Sequence, residues 1–201
     1  MIITIANAKG GVAKTTTAMY LAAAMIRRFE KHVTVLDADP QGSASLWLDM
    51  IESSGSHIDG LRIEAANAST LQRAAREKNS LILVDAPPQG RLLATALEVA
   101  DFVMVPTSDS PLDWQQAHAT LMDIPQDTPA AVLVVRAEPQ TTSCKRLLDQ
   151  LESNQIPCFE TIVRKRQALK SSLGSAPTKL YEYADVLGEL VEVLPQLAVN
   201  Q

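Results

Sequence analysis

The sequence predicts an α/β fold, a doubly wound and mostly parallel sheet flanked by helices, and three observations predict it. Short β-branched runs alternate with longer helical patterns along all 201 residues. The strand-like runs are apolar at successive positions, so both of their faces need cover. Polar, glycine-containing clusters follow three of those runs, which is where ligands bind beyond the carboxyl ends of parallel strands.

The elements follow in order. The first strand is "IITIA", Ile2 to Ala6, and a helical pattern runs after it from Lys14 to Phe29. "HVTVLDA" makes the second strand, with a helix from Ser43 to Met50 behind it. A helix from Ser69 to Lys78 precedes the strand "SLILVDA", and one from Leu92 to Val99 separates that from "DFVMVP". Leu112 to Met122 is helical and leads to "AAVLVVR"; Thr141 to Ser153 is helical and leads to a last strand near "CFETIV". A final helix covers Ala184 to Leu194. No internal repeat and no linker rich in Gly, Ser or Pro divides the chain, so residues 1–201 are expected to form one domain.

Composition narrows the function classes. An apolar content of 46% in a chain of this length supports one well-buried core. Charged residues at 20% without low-complexity segments speak against disorder. The net charge of -5 argues against nucleic-acid binding over the whole surface and leaves room for a local basic patch. Cys144 and Cys158 belong to no CxxC or Cys/His cluster and read as two buried or half-buried thiols in a reducing compartment, with a disulfide as the second reading. The first apolar run is too short for a secretory signal and lacks a basic start. The longest apolar-rich stretch, Ala18 to Ile26, is too short to cross a bilayer, so a cytoplasmic location is expected.

Ala8-Lys9-Gly10-Gly11-Val12-Ala13-Lys14-Thr15-Thr16 stands between the first strand and the first helix. In such a turn, backbone N–H groups around the glycines close on a phosphate and the helix N-terminus adds partial positive charge. Lys14 reaches the outer phosphates as a point charge, Thr15 offers a hydroxyl to magnesium, and Thr16 stands near the inner phosphate. The usual spacing of glycine, four residues and Gly-Lys-Ser/Thr is not met. Alanine holds both glycine positions, Ala8 and Ala13, and Lys9 is an extra lysine. A positive φ at Ala13 would strain an alanine by about a kilocalorie or more. The milder case is expected, an unstrained residue whose N–H serves the phosphate.

"VTVLDADPQGSAS" closes the second strand with two carboxylates, Asp37 and Asp39, which point in opposite senses in extended chain and so should not share one role. Pro40 fixes the turn that follows. "LILVDAPPQG" sets Asp85 at a strand tip, where a carboxylate can hold a magnesium-bound water, and Pro87 and Pro88 stop the strand.

These segments together resemble the ParA/MinD family of deviant Walker A ATPases, which are P-loop NTPases. "KGGVAKTTT" is similar to that family's Lys-Gly-Gly-x-x-Lys-Thr/Ser loop, "DADPQG" to its switch segment and "LILVDAPPQG" to its Walker B strand. The resemblance implies slow, partner-stimulated hydrolysis of ATP with Mg2+. It assigns catalytic roles to Lys9, Lys14 and Asp39, with Asp39 orienting the attacking water. Nucleotide contacts would come from Lys9, Gly10, Gly11, Val12, Ala13, Lys14, Thr15 and Thr16, and metal contacts from Thr15, Asp37, Asp39 and Asp85. It also implies a homodimer formed on ATP binding, in which Lys9 touches phosphates held by the partner subunit.

Further along, "VPTSDSPLDWQQA" is similar to the family's Pro-rich loop before a helix at the dimer face; Asp113 and Trp114 read equally well as helix-start and packing residues. Relatives place an adenine-contacting Asn near the end of the next strand, and the Val134-Val135-Arg136 of this chain does not carry it over. Because the loop follows directly on the first residues, the chain is expected to be of the short ParA type. "TIVRKRQALKSS" gathers Arg164, Lys165, Arg166 and Lys170, with Lys145 and Arg146 nearby in sequence order. The resemblance makes them contacts for non-specific DNA, which salt would weaken; the other reading is an exposed basic face.

The function expected from this resemblance is that of a nucleoid-associated DNA-partition ATPase whose partner, bound to a centromere, stimulates hydrolysis. The alternative is the same engine positioning another cargo, such as a chemoreceptor, cellulose-synthesis or conjugation complex. A MinD-like cycle would need a basic amphipathic tail, whereas "YADVLGELVEVLPQLAVNQ" carries Asp185, Glu189 and Glu192 and no lysine, so no stable membrane association is expected.

Overall fold

In the computed structural model, which describes residues 1–77 and 80–199, seven strands form one sheet. They are β1 (Ile2–Ile5), β2 (Val33–Asp37), β3 (Leu61–Ala65), β4 (Leu81–Asp85), β5 (Phe102–Thr107), β6 (Ala130–Ala137) and β7 (Val163–Arg164). Their order is β3-β2-β4-β1-β5-β6-β7, and each pairing is parallel. The helices are α1 (Lys14–Phe29), α2 (Ser43–Ser53), α3 (Ala68–Ala74), α4 (Arg91–Glu98), α5 (Pro111–Asp123), α6 (Thr142–Ser153), α7 (Gln167–Lys170), α8 (Tyr183–Val193) and α9 (Gln196–Val199).

The two-residue repeat of extended chain sorts the strand side chains into two cores. Ile3, Ile5, Val33, Val35, Leu81, Leu83, Phe102, Met104, Leu133 and Val135 face α1, α2 and α8. Their neighbours Ile2, Leu36, Ile82, Val84, Val103, Val105, Val132 and Val134 face α3, α4, α5 and α6. This is why the inner strands read as unbroken apolar runs.

α1 is the helix most enclosed by its surroundings, buried at every position from Thr17 to Met25. Its alanine run, Ala22 to Ala24, has high helix propensity and lets the helix lie close under the sheet. α8 packs against it through Val186, Leu187 and Leu190, all fully buried. Each such side chain stabilises by about 1.5–3 kcal/mol.

Three differences from the sequence reading have physical reasons. β3 is an edge strand with a partly exposed, alternating pattern, so it lacks the apolar run that marks the inner strands. "CFETIV" contributes only Val163, the first of the two residues of β7, and an isolated bridge from Cys158 to Val132. α3 ends at Ala74, and Lys78, to which that helix was expected to run, lies outside the described residues.

Register positions the site. Ile5 pairs with Asp85 and Asp85 with Asp37, so β1, β4 and β2 end level with one another. The three polar segments that follow these strands therefore open at one edge of the sheet.

A candidate phosphate site at the strand edge

The first loop folds back over its own lysine. Lys14 Nζ donates to the carbonyls of Asn7 (3.3 Å) and Lys9 (3.0 Å), which sets the amine inside the loop. Burial holds this amine below its ordinary value, opposed by the charges of Asp85 and Asp39. The amide of Ala8 donates to Thr120 Oγ1 (2.8 Å) and that of Lys9 to Asn7 Oδ1 (2.8 Å). Asn7 is itself fixed by a bond from its Nδ2 to the Pro106 carbonyl (2.9 Å). From Gly10 to Thr16, by contrast, no backbone N–H reaches a protein acceptor among the described residues. A Cβ placed on Gly10 or Gly11 would meet nothing within 4 Å, so open space adjoins those donors. A run of unsatisfied amides at a helix N-terminus is an anion site by construction.

Ala13 corrects the sequence expectation. Its φ is 63° and its ψ 28°, in the left-handed region, directly before α1. The backbone is strained where an unstrained residue was expected, while the Ala13 N–H stays without a protein acceptor.

The carboxylates divide as their alternation requires. Asp37 is buried and its Oδ2 accepts from both the N–H and the hydroxyl of Ser45 (2.8 Å each), anchoring the first turn of α2. Asp39 is half-buried, and its Oδ1 accepts from the Gln41 N–H (3.0 Å) in a turn completed by Gly42 at φ 61°. Asp85 is fully buried, and its Oδ2 accepts from Thr15 Oγ1 at 2.6 Å. Burial first, then the charges of Asp37 and Asp39, push its carboxyl up to about 7, against the Thr15 bond and Lys14.

Two buried oxygens, Oδ1 of Asp37 and Oδ1 of Asp85, have no hydrogen-bond partner. Buried carboxylate oxygens are costly unless something pairs with them. With the Thr15 hydroxyl beside them, this set consists of hard oxygen donors. No group of three or more His, Cys, Asp or Glu side chains forms a metal cage among the described residues. Two carboxylates and a hydroxyl of this kind fit a magnesium ion, which keeps several waters and combines one or two carboxylates with substrate phosphates.

Residues that the sequence left open or did not indicate complete the edge. Lys9 Nζ is ion-paired with Asp113 at the start of α5, and Ser108 Oγ donates to the same carboxylate (2.6 Å). Burial would raise the Asp113 carboxyl, but the bonds from Lys9 and Ser108, with the charges of Lys9 and Arg136, hold it below the usual range. Trp114 packs in the second core, so of that pair Asp113 faces the site and Trp114 does not. Asn7, Ser45, Thr120 and Arg136 were given no role by the sequence; Asn7 stood beside the first loop, Ser45 at the end of the second segment, and Thr120 and Arg136 are distant in sequence.

The basic candidates do not form one stripe. Arg166 is ion-paired with Glu182 and lies over the Tyr181 ring (5.2 Å), and Arg164 stands 3.9 Å from the same carboxylate. Lys165 and Lys170 are exposed. Lys145 is exposed on α6, which packs in the second core, whereas α7 adjoins the first core through Leu169.

A family model described as the CobQ/CobB/MinD/ParA nucleotide binding domain matches residues 3–177. The chain belongs to this family. It is 34% identical over 176 residues to the maintenance of carboxysome distribution protein A of Gloeobacter kilaueensis, covering 83% of this chain and 78% of that protein. Against the chromosome-partitioning ATPase Soj of Thermus thermophilus it is 36% identical over 133 residues, with 52% of this chain and 53% of Soj covered. The crystal structure of a plasmid partition protein of Borrelia burgdorferi B31 bound to AMPPNP superposes with a TM-score of 0.76, over 96% of this chain and 98% of that one. At 18% identity that likeness concerns the fold alone. Among the described residues no helix is long and apolar enough to cross a membrane.

Proposed function

We propose that this chain is a magnesium-dependent ATPase of the ParA type that dimerises on ATP and positions a large cargo over non-specific DNA. The carrying observation is the level ending of β1, β2 and β4, which sets seven unsatisfied loop amides and Lys14 beside Thr15, Asp37 and Asp85. In this reading Lys14 and the amides from Gly10 to Thr16 hold the triphosphate, while Thr15 and Asp85, with Asp37 behind them, hold the ion. Magnesium supplies neutralisation of the outer phosphate charge when bound. Asp39, half-exposed on its turn, orients the attacking water. Lys9 leaves Asp113 to reach the partner subunit's nucleotide.

The choice of cargo departs from the expectation of DNA partition. One relative matched over most of its length is named for carboxysome distribution, and the Soj protein is matched over about half of its own. This favours the alternative, the same cycle carrying a body other than a replicon, here one of the carboxysome kind. DNA partition is the second reading, supported by the Soj match.

Sedimentation with magnesium and ATP, with imaging of a deletion strain, tests both levels. The parent should form a dimer; Lys14→Ala should bind no nucleotide; Lys9→Ala should bind it and stay a monomer; Asp39→Ala should remain dimeric without turnover. An Asp39→Ala protein that stays monomeric at saturating ATP ends the ATPase-dimer reading. Deletion should bunch the cargo bodies and leave plasmid inheritance intact, whereas plasmid loss with normally spread bodies would return the second reading to first place.

A further inference from the structure

Arg136 is the one strand residue with a positive φ, 56°, among the described residues. That region disfavours any side chain with a Cβ. The position falls where β6 carries an extra residue against β7: Val135 pairs with Val163, Ala137 with Arg164, and Arg136 is left between them. Bulges re-aim side chains and gather beside active sites. Packing gives no reason for an arginine here, since Arg136 is exposed while Val132 to Val135 and Ala137 are buried.

The bulge sends the side chain back across the sheet edge. Its Nη1 donates to the carbonyl of Gly11, 125 residues away in sequence. The guanidinium also acts on Asp113, the partner of Lys9, so it stands at the junction of the first loop and α5. Gly11 has a φ of 77°, and a glycine leaves its peptide free to turn over. In a trans peptide the carbonyl and the N–H point in opposite directions. Holding the Gly11 carbonyl from outside therefore turns the Val12 N–H away from Arg136.

We propose that Arg136 is a positioning residue of the phosphate loop: it locks the Gly11–Val12 peptide in the sense that offers the Val12 N–H to a bound phosphate. The proposal rests on reading the loop as an ATP site. It gives the left-handed arginine a purpose, because the residue best suited to the backbone, glycine, would bring no guanidinium.

The test uses Arg136→Ala, Arg136→Lys and Arg136→Gly, titrated with AMPPNP and magnesium and, without nucleotide, followed by amide NMR and thermal unfolding. Loss of one charged hydrogen bond should weaken AMPPNP about tenfold in Arg136→Ala, with Arg136→Lys restoring part of it. The nucleotide-free parent should show one sharp Val12 amide resonance, and Arg136→Ala an exchange-broadened one. Arg136→Gly and Arg136→Ala both lose the guanidinium and only the first relieves the backbone, so Arg136→Gly should melt above Arg136→Ala yet bind AMPPNP as weakly; with a merely structural residue, affinity would follow stability. If the parent binds AMPPNP and all three variants match it in affinity and in the Val12 resonance, the positioning role is overturned while the ATP site stands. If the parent itself binds no AMPPNP, the reading of the loop fails and the role fails with it.

Discussion

Ala13 carries a backbone cost at the start of α1. An L-residue in the left-handed region loses about 1–2 kcal/mol against the right-handed one, and glycine loses nothing there. Part of the gain from glycine is returned through the freer unfolded chain. Ala13→Gly should therefore stabilise the nucleotide-free protein by about 0.5–1 kcal/mol, read as a higher urea midpoint at unchanged slope. A lower midpoint would mean that the alanine methyl, which packs at the margin of the first core, outweighs the backbone term. Asp85 stores a different kind of cost, a buried carboxylate oxygen without a partner, facing Asp37 across paired strands. In Asp85→Asn the amide can keep the Thr15 bond through its oxygen and donate toward Asp37. This change should stabilise the nucleotide-free protein by about 1–3 kcal/mol. The same variant should lose the rise in melting temperature that magnesium and ATP give the parent, because the carboxylate charge is gone. A variant that is less stable without nucleotide, or that keeps the full magnesium response, refutes this account of the unpaired oxygen.

At the scale of elements, legibility followed locality. The bounds of α1, Lys14 to Phe29, could be read directly because a phosphate-loop motif starts it and an unbroken alanine-rich pattern continues it. The inner strands were legible because each must be apolar on both faces, and β3 was not, since the edge strand Leu61–Ala65 alternates its apolar residues with polar Arg62 and Glu64. Four-residue helices such as α7 and α9 are too short to display a helical period. The site divides in the same way. Gly10 to Thr16, Asp37, Asp39 and Asp85 stand in contiguous motifs at strand ends. The bonds from Lys9 to Asp113, from the Ala8 amide to Thr120 and from Arg136 to Gly11 join residues more than a hundred positions apart, and no spacing rule announces them. The conformation of Ala13 was hidden for another reason: the identity of a residue does not state its φ, and neighbours can force a disfavoured value.

For the whole molecule the question is how a chain of net charge -5 would hold DNA. Its basic candidates are not equivalent. Arg164 and Arg166 share Glu182, so much of their field is cancelled locally, and Arg166 is further tied to the Tyr181 ring. Lys165 and Lys170 are exposed and have no ion pair among the described residues, while Lys145 belongs to the opposite helical layer. If the proposed DNA contact is made by the α7 side, Lys165→Glu with Lys170→Glu should weaken it strongly in the presence of ATP. Each lysine removed should flatten the dependence of log affinity on log salt by about two in a dimer, one per subunit. Glu182→Gln should act in the opposite sense, since it releases two arginines toward phosphate without adding a charge of its own. Lys145→Glu should leave binding unchanged. Filter binding over a salt series distinguishes the outcomes. Equal losses from Lys145→Glu and from the α7 pair would mean that the DNA lies across both layers, and no loss from either would leave the basic segment as solvated surface and remove DNA from the proposed cycle.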